Sequence, residues 1–95
     1  MGSALRLAMR LRAQGAQFEV VGSAVSGADS PADLDVVVPQ QDEHLDCFIE
    51  AIAKTGGWSL LSTSLPTSET LRRAGSWHFG TPDGPLDAFV HGSVE

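Results

Sequence analysis

The sequence contains little of what small proteins use to reinforce a core or to bind polyanions. Its 95 residues include one cysteine, Cys47, so an internal disulfide and a cysteine-rich zinc site are both excluded. Six Lys and Arg stand against twelve Asp and Glu, and the formal net charge of -6 argues against a broad surface for nucleic acid or anionic membrane. No apolar run approaches the roughly 18 residues of a membrane span, and the N-terminus lacks the apolar segment of a signal peptide. These absences predict a soluble protein of the reducing cytoplasm.

The composition that remains is that of one globular domain. Hydrophobic residues make up 42% of the chain and charged residues 19%, which lies inside the globular range and argues against disorder. A chain of this length cannot divide into two parts that each bury a core. We therefore expect a single domain over residues 1–95, without repeat or linker.

Apolar residues recur at helical spacing in two segments, which predicts helices over 3–14 and 42–55. A shorter helix is predicted over 68–74. Asp42 or Gln41 is expected to cap the second helix. Glycine follows each segment and is expected to stop it, at Gly15, at Gly56 and Gly57, and at Gly75.

Strand-forming residues occur between these helices and after the last of them. Five strands are predicted, over 18–21, 34–38, 58–62, 77–79 and 86–90. Residues 22–33 are small and polar and should form a loop, and the turn-rich segment 80–85 should close a hairpin. The resulting order, αβ(loop)βαβαββ, predicts an α/β or α+β fold in which a short mixed β-sheet is flanked by helices.

Three aspartates lie where a strand would ordinarily carry apolar residues. Asp33 and Asp35 bracket Leu34, and in an extended chain such residues project from one face about 6.5 Å apart. Asp87 occupies a similar place in the last strand, and if the two strands are neighbours the three carboxylates converge. Such a cluster repels itself unless a cation is present, and its oxygens suit Mg²⁺ or Mn²⁺. For Asp33 and Asp35 taken alone, a solvated strand end is the simpler interpretation.

A possible phosphate contact precedes these carboxylates. Gly22 and Ser23 follow the first strand, where a glycine lets backbone N–H groups approach a ligand and a serine hydroxyl can donate to a phosphate oxygen. A pair of divalent ions can activate a hydroxyl and stabilise leaving pyrophosphate in a displacement at a nucleotide α-phosphate. The glycine-serine pair and the aspartates are therefore complementary.

The run VVGSAVSGADSPADLDVVV resembles the nucleotidyltransferase signature of the polymerase beta superfamily. That signature is a hydrophobic strand, Gly-Ser, about ten residues, and aspartates alternating with hydrophobic residues, with a third acidic residue on a later strand. The resemblance implies a nucleotidyltransferase-like fold and transfer of a nucleotidyl group, most simply AMP from ATP, to a hydroxyl acceptor. By the same resemblance Gly22 and Ser23 would contact the triphosphate, Asp33 and Asp35 would bind both metals, and Asp87 would complete the site and help activate the acceptor.

Two departures from the family pattern support an alternative. Many small bacterial members carry Arg-Gly soon after Gly-Ser, whereas here no Lys or Arg occurs from residue 13 to residue 53. The chain also ends five residues after the last predicted strand, without the helical module of larger relatives. Small antitoxin-like and abortive-infection-type members are similar in layout. The alternative is a catalytically inactive module that acts as an antitoxin or partner-binding subunit, with a helical protein partner or a second copy completing the assembly.

The remaining histidines and tryptophans are expected to be structural. His44, His78 and His91 are dispersed and lack zinc-ligand spacing, so each is predicted to be solvated or hydrogen-bonded, with His91 the nearest to Asp87 along the chain. Trp58 and Trp77 begin strands and are predicted to be core or interface anchors rather than base-stacking platforms. A tryptophan left exposed would indicate a partner surface.

Overall fold

A computed structural model describes residues 3–21 and 34–91 of the chain. These residues form a small α+β domain, and the helices and strands occur in the predicted order. The elements are α1 (Ser3–Ala13), β1 (Glu19–Val21), β2 (Leu34–Val38), α2 (Asp42–Lys54), β3 (Trp58–Ser59), α3 (Ser68–Ala74), β4 (Ser76–Thr81) and β5 (Gly84–Val90). Within the described ranges, no helix is long and apolar enough to cross a membrane.

The strands form one mixed sheet in the order β1-β2-β5-β4-β3. β2 and β5 are parallel neighbours, whereas the other three pairings are antiparallel. The last strand of the chain therefore lies at the centre of the sheet, between β2 and β4. β1 and β3 form its two edges.

The helices bury the faces that their spacing predicts. In α1 the buried residues recur at helical spacing. In α2 the apolar face is buried in the same way, except that Ile49 is only partly buried. Alternate residues of β2, Leu34, Val36 and Val38, join them in one core. The buried helical residues are Ala4, Leu7, Ala8 and Leu11 of α1, and Leu45, Phe48, Ala51 and Ile52 of α2.

Phe48 lies at the centre of this core. Its ring meets that of Phe18 edge-on, with centroids 5.9 Å apart, and that of Phe79 in the same manner at 6.2 Å. Edge-to-face geometry is favoured because the positive rim of one ring meets the negative face of the other. Phe48 thus joins α2 to the residue preceding β1 and to β4.

The sheet has two different faces because side chains alternate along each strand. Leu34, Val36 and Val38 project toward the helices, which contact β2, β4 and β5. Asp35 and Val37 therefore project from the opposite face, where both are half-buried. None of the described helices packs on that second face, which we call the open face.

The hairpin between β4 and β5 is tighter than the sequence predicts. Both strands extend into the segment predicted as a turn, which leaves only Pro82 and Asp83 between the paired residues Thr81 and Gly84. The Thr81 hydroxyl donates to the carbonyl of Gly84 at 2.8 Å and accepts from the backbone N–H of Asp83 at 3.1 Å. A two-residue loop fixes the register of the whole hairpin.

Two sequence predictions about individual elements are wrong. β3 spans two residues rather than 58–62, because the Ser59 hydroxyl accepts from the backbone N–H groups of Leu61 and Ser62, at 3.1 Å each, and bends the chain. Neither predicted residue caps α2 through its side chain. Gln41 occupies the N-cap position without a side-chain hydrogen bond, while Asp42 is the first helical residue and pairs with Arg72 of α3.

α3 matches its predicted bounds because both of its ends are defined locally. The Thr67 hydroxyl accepts from the backbone N–H of Thr70 at 3.1 Å, as an N-cap does. Gly75 closes the helix in the left-handed region, at φ 83°, which a residue with a Cβ adopts at a cost.

Gly80 leaves the space in which the Trp58 indole lies. A Cβ built on Gly80 would come within 2.4 to 2.6 Å of three ring atoms of Trp58, its cross-strand partner. We expect Gly80→Ala to displace the indole and to lower the free energy of unfolding by about 1 to 3 kcal/mol, as overpacking does. Urea unfolding measures this change. In a Trp58→Ala background the same substitution should cost less, and an equal cost in both backgrounds would contradict the packing explanation.

Candidate active site

Two of the predicted aspartates lie side by side on the open face. Asp35 of β2 and Asp87 of β5 are in-register partners in the parallel pair. Neighbouring strands are separated by about 4.8 Å, so the two carboxylates project from adjacent backbone positions in the same direction. Val21 of β1 pairs with Asp35 on one side, and His78 of β4 pairs with Asp87 on the other. We call Asp35, Asp87 and His78 the acidic row.

The local sequence places each carboxylate by strand alternation. In β2 the buried Leu34 and Val36 flank Asp35, and in β5 the buried Leu86 and Ala88 flank Asp87. The four apolar neighbours are fixed in the core, which commits both aspartates to the open face. The side chain of Asp87 retains 24% of its exposure, so its charge is partly desolvated. Like charges on adjacent strands repel each other.

His78 supplies a partner to one of these carboxylates. Its Nδ1 lies 2.5 Å from Oδ1 of Asp87. An ionised carboxylate only accepts hydrogen bonds, so the imidazole N–H donates. His91 is nearer to Asp87 along the chain, but it follows β5, and its backbone N–H donates to the carbonyl of Val38. The useful sequence signal was the hairpin register, which places residue 78 opposite residue 87.

The other predicted site residues fall outside the part of the chain that the structure describes. Gly22, Ser23 and Asp33 all lie between β1 and β2, in 22–33. The described residue that precedes Gly22 is Val21, and Val21 is the cross-strand partner of Asp35. Of the five predicted site residues, the structure therefore brings together Asp35 and Asp87.

The carboxylate oxygens of the acidic row are donors of the type that hard divalent cations bind. Among the described residues no group of three or more His, Cys, Asp or Glu side chains has the arrangement of a metal cage. Mg²⁺ usually keeps several water ligands and is held by one or two carboxylates together with phosphate oxygens of a substrate. Asp35 and Asp87 provide two carboxylates on adjacent strands, which is the number and type of protein ligand that such an ion requires.

Five of the six lysine and arginine side chains have partners outside the acidic row. Ion pairs join Arg10 to Asp83, Lys54 to Glu50, Arg72 to Asp42 and Arg73 to Glu69. Arg12 donates to the carbonyl of Phe18 and lies 4.7 Å from the centre of its ring. These five side chains therefore find their partners in other parts of the domain.

A groove continues the open face beyond the carboxylates. It has a volume of about 370 Å³, and it includes Val37, which lies two residues along β2 from Asp35 and on the same face. Its walls combine apolar and polar side chains, and Glu19 is the acidic residue among them. The full lining is Phe18, Glu19, Val37, Pro39, Gln40, Gln41 and His91. The groove offers amide groups to a ligand next to the acidic row.

The two tryptophans occupy different environments. Trp77 packs against the core, and its indole N–H donates to the Ser59 hydroxyl at 2.8 Å, as a core anchor would. Trp58 retains 50% of its exposure on the edge strand β3, and Leu60 and Leu61 after it retain 55% and 54%. These three residues, which we call the edge patch, are large apolar side chains in contact with water.

No protein-family model matches this sequence, and no curated protein or solved structure matches it significantly. The functional proposal therefore rests on the residues and their geometry.

Proposed function

We propose that this domain is a nucleotidyltransferase that depends on Mg²⁺ or Mn²⁺ and moves a nucleotidyl group, most simply AMP from ATP, onto a hydroxyl acceptor. The observation that carries the proposal is the in-register pairing of Asp35 with Asp87 at the centre of the open face. The resemblance of the sequence to the polymerase beta superfamily assigns metal-binding roles to the same two residues. Parallel pairing of the strands that carry them supports a nucleotidyltransferase-like topology.

In this proposal Asp35 and Asp87 hold the cation together with Asp33, while Gly22 and Ser23 contact the triphosphate. Held by these residues, a divalent cation would supply polarisation of the α-phosphate and neutralisation of charge on the leaving pyrophosphate. The Asp87 carboxylate would also help to activate the acceptor hydroxyl by accepting its proton. The acceptor oxygen then forms a bond to the α-phosphorus, the bond from that phosphorus to the bridging oxygen breaks, and pyrophosphate leaves with the bonding electrons.

The charge distribution favours a cation-dependent site. Four lysine and arginine side chains pair with carboxylates outside the acidic row, so a nucleoside triphosphate at this row would gain little attraction from them. A divalent cation between protein and ligand reverses this local sign. We therefore expect nucleotide binding only when the cation is present.

Isothermal titration calorimetry tests the proposal directly. ATP titrated into the protein should give a binding heat in the presence of Mg²⁺ and no heat when EDTA removes the cation. ATP labelled at the α-phosphate should then leave label on a hydroxyl acceptor and release unlabelled pyrophosphate. Absence of any metal-dependent nucleotide binding by the folded protein would rule out the enzymatic function.

A second candidate function is favoured by the edge patch. Trp58 is exposed on the edge strand β3, and Leu60 and Leu61 are exposed in the bend that follows it, as in a subunit that binds a protein partner. In this case the fold acts as an antitoxin or other partner-binding module and catalysis is absent. If the partner is a second copy of the chain, the purified protein should form a homodimer through the edge patch. Sedimentation should then show a dimer for the wild type and a monomer for Leu60→Ser/Leu61→Ser, with no heat from Mg²⁺ and ATP in either.

A further inference from the structure

We infer that His78 is a positioning residue that holds the Asp87 carboxylate in the orientation required for cation binding. This inference rests on the proposed metal-dependent function and names a residue that neither the sequence motif nor the family resemblance assigns. Its basis is the 2.5 Å contact between Nδ1 of His78 and Oδ1 of Asp87.

The backbone pairing of β4 with β5 brings the two side chains of this contact together. His78 and Asp87 are directly opposed in the antiparallel β4–β5 pair, where Cβ atoms lie about 5 Å apart. The register is set by the short turn after Thr81, and the His78 carbonyl accepts from the backbone N–H of Leu60 at 3.0 Å on the other side. The imidazole is therefore attached to a strand that is paired along both of its edges.

Asp87 is the carboxylate whose orientation matters most. It lies between Asp35 on β2 and His78 on β4, so repulsion from one neighbour and attraction to the other act on the same group. A carboxylate without a partner rotates freely about the bond to its Cβ. With Oδ1 held by the imidazole, rotation is restricted and the second oxygen is kept in one position. Hydrogen bonds of this kind from residues outside the ligand set commonly tune metal affinity.

A simple surface ion pair would have a different consequence. The imidazole side chain is 50% exposed, and an exposed pair of this type contributes little to stability. If His78 had only that role, its replacement would change cation binding no more than replacement of another surface histidine. His44 on α2 provides that comparison, since it lies in the first turn of the helix and outside the acidic row.

The test measures Mn²⁺ binding in the presence of ATP by electron paramagnetic resonance, for the wild type, His78→Asn, His78→Ala and His44→Ala. The Asn side chain carries its amide nitrogen on Cγ, as His carries Nδ1, so it can donate to the same carboxylate oxygen. We expect His78→Ala to bind Mn²⁺ about 10- to 100-fold more weakly, and His78→Asn to stay within about threefold of the wild type. His44→Ala should bind as the wild type does.

Two results would overturn the inference while leaving the proposed function intact. One is wild-type affinity in His78→Ala, and the other is equal loss in His78→Asn and His78→Ala, since the donor atom would then not be the cause. Urea unfolding of each variant verifies that the compared proteins are folded. No Mn²⁺ binding by the folded wild type in the presence of ATP would instead refute the proposed function, and the role of His78 with it.

Discussion

Asp35→Asn should abolish cation-dependent nucleotide binding while leaving the domain, without cation, at least as stable as the wild type. Two adjacent carboxylates on the open face repel each other, and the substitution removes one charge and keeps the size of the side chain, while one acceptor oxygen becomes an amide donor. We expect the free energy of unfolding in EDTA to rise by about 0.2 to 1 kcal/mol, the scale of a cross-strand pair. Loss of a direct cation ligand should weaken Mg²⁺-dependent ATP binding at least about 100-fold. This loss exceeds the one typical of replacing a residue that only hydrogen-bonds to a metal ligand.

Urea unfolding in EDTA and in Mg²⁺ with ATP, combined with calorimetry, measures both effects. Ligand that binds only the folded state raises stability with the logarithm of its concentration over its dissociation constant, so the wild type should gain stability and the variant should not. Asp46→Asn is the matched control, because Asp46 is an exposed carboxylate on α2. A variant that is destabilised in EDTA yet binds ATP normally would show that Asp35 is structural.

The elements that the sequence predicts well are those defined by neighbouring residues. α3 has its predicted bounds because Thr67 caps one end and Gly75 closes the other, and both signals lie within the segment. β2 has its predicted bounds because Leu34 begins a run of strand formers that ends before Pro39. β3 was overestimated because the Ser59 side chain competes for backbone N–H groups, an effect that strand propensity does not include.

The candidate site depended on pairings between distant parts of the chain. Alternation correctly places Asp35 opposite to Leu34, but its pairing with Asp87 requires β2 and β5 to be neighbours although α2, β3, α3 and β4 separate them. From the sequence alone, the two carboxylates could therefore be predicted to converge only if β2 and β5 are neighbours. The pairing of His78 with Asp87 could have been predicted from the sequence. A two-residue turn after Thr81 would have given the hairpin register, whereas treating all of 80–85 as turn concealed it.

Phe48 is a central packing residue of the scaffold that carries the acidic row. Phe48 is completely buried and joins α2 to the rings of Phe18 and Phe79, the latter on β4 one residue from His78. A small domain has a total stability of only about 5 to 15 kcal/mol, so the loss of one such side chain consumes a large part of it. The position of His78, and through it that of Asp87, depends on β4 remaining packed.

Phe48→Ala should lower the free energy of unfolding by about 3 to 5 kcal/mol, because it removes buried apolar surface and leaves a cavity that the surrounding rings fill only in part. For a domain of this size the melting temperature should fall by at least about 12 °C. Urea unfolding and thermal melting measure the two quantities. Met9→Ala on the exposed side of α1, where Met9 retains 56% of its exposure, should change stability by less than about 0.5 kcal/mol. Equal effects of the two substitutions would contradict the assignment of Phe48 to the centre of the core.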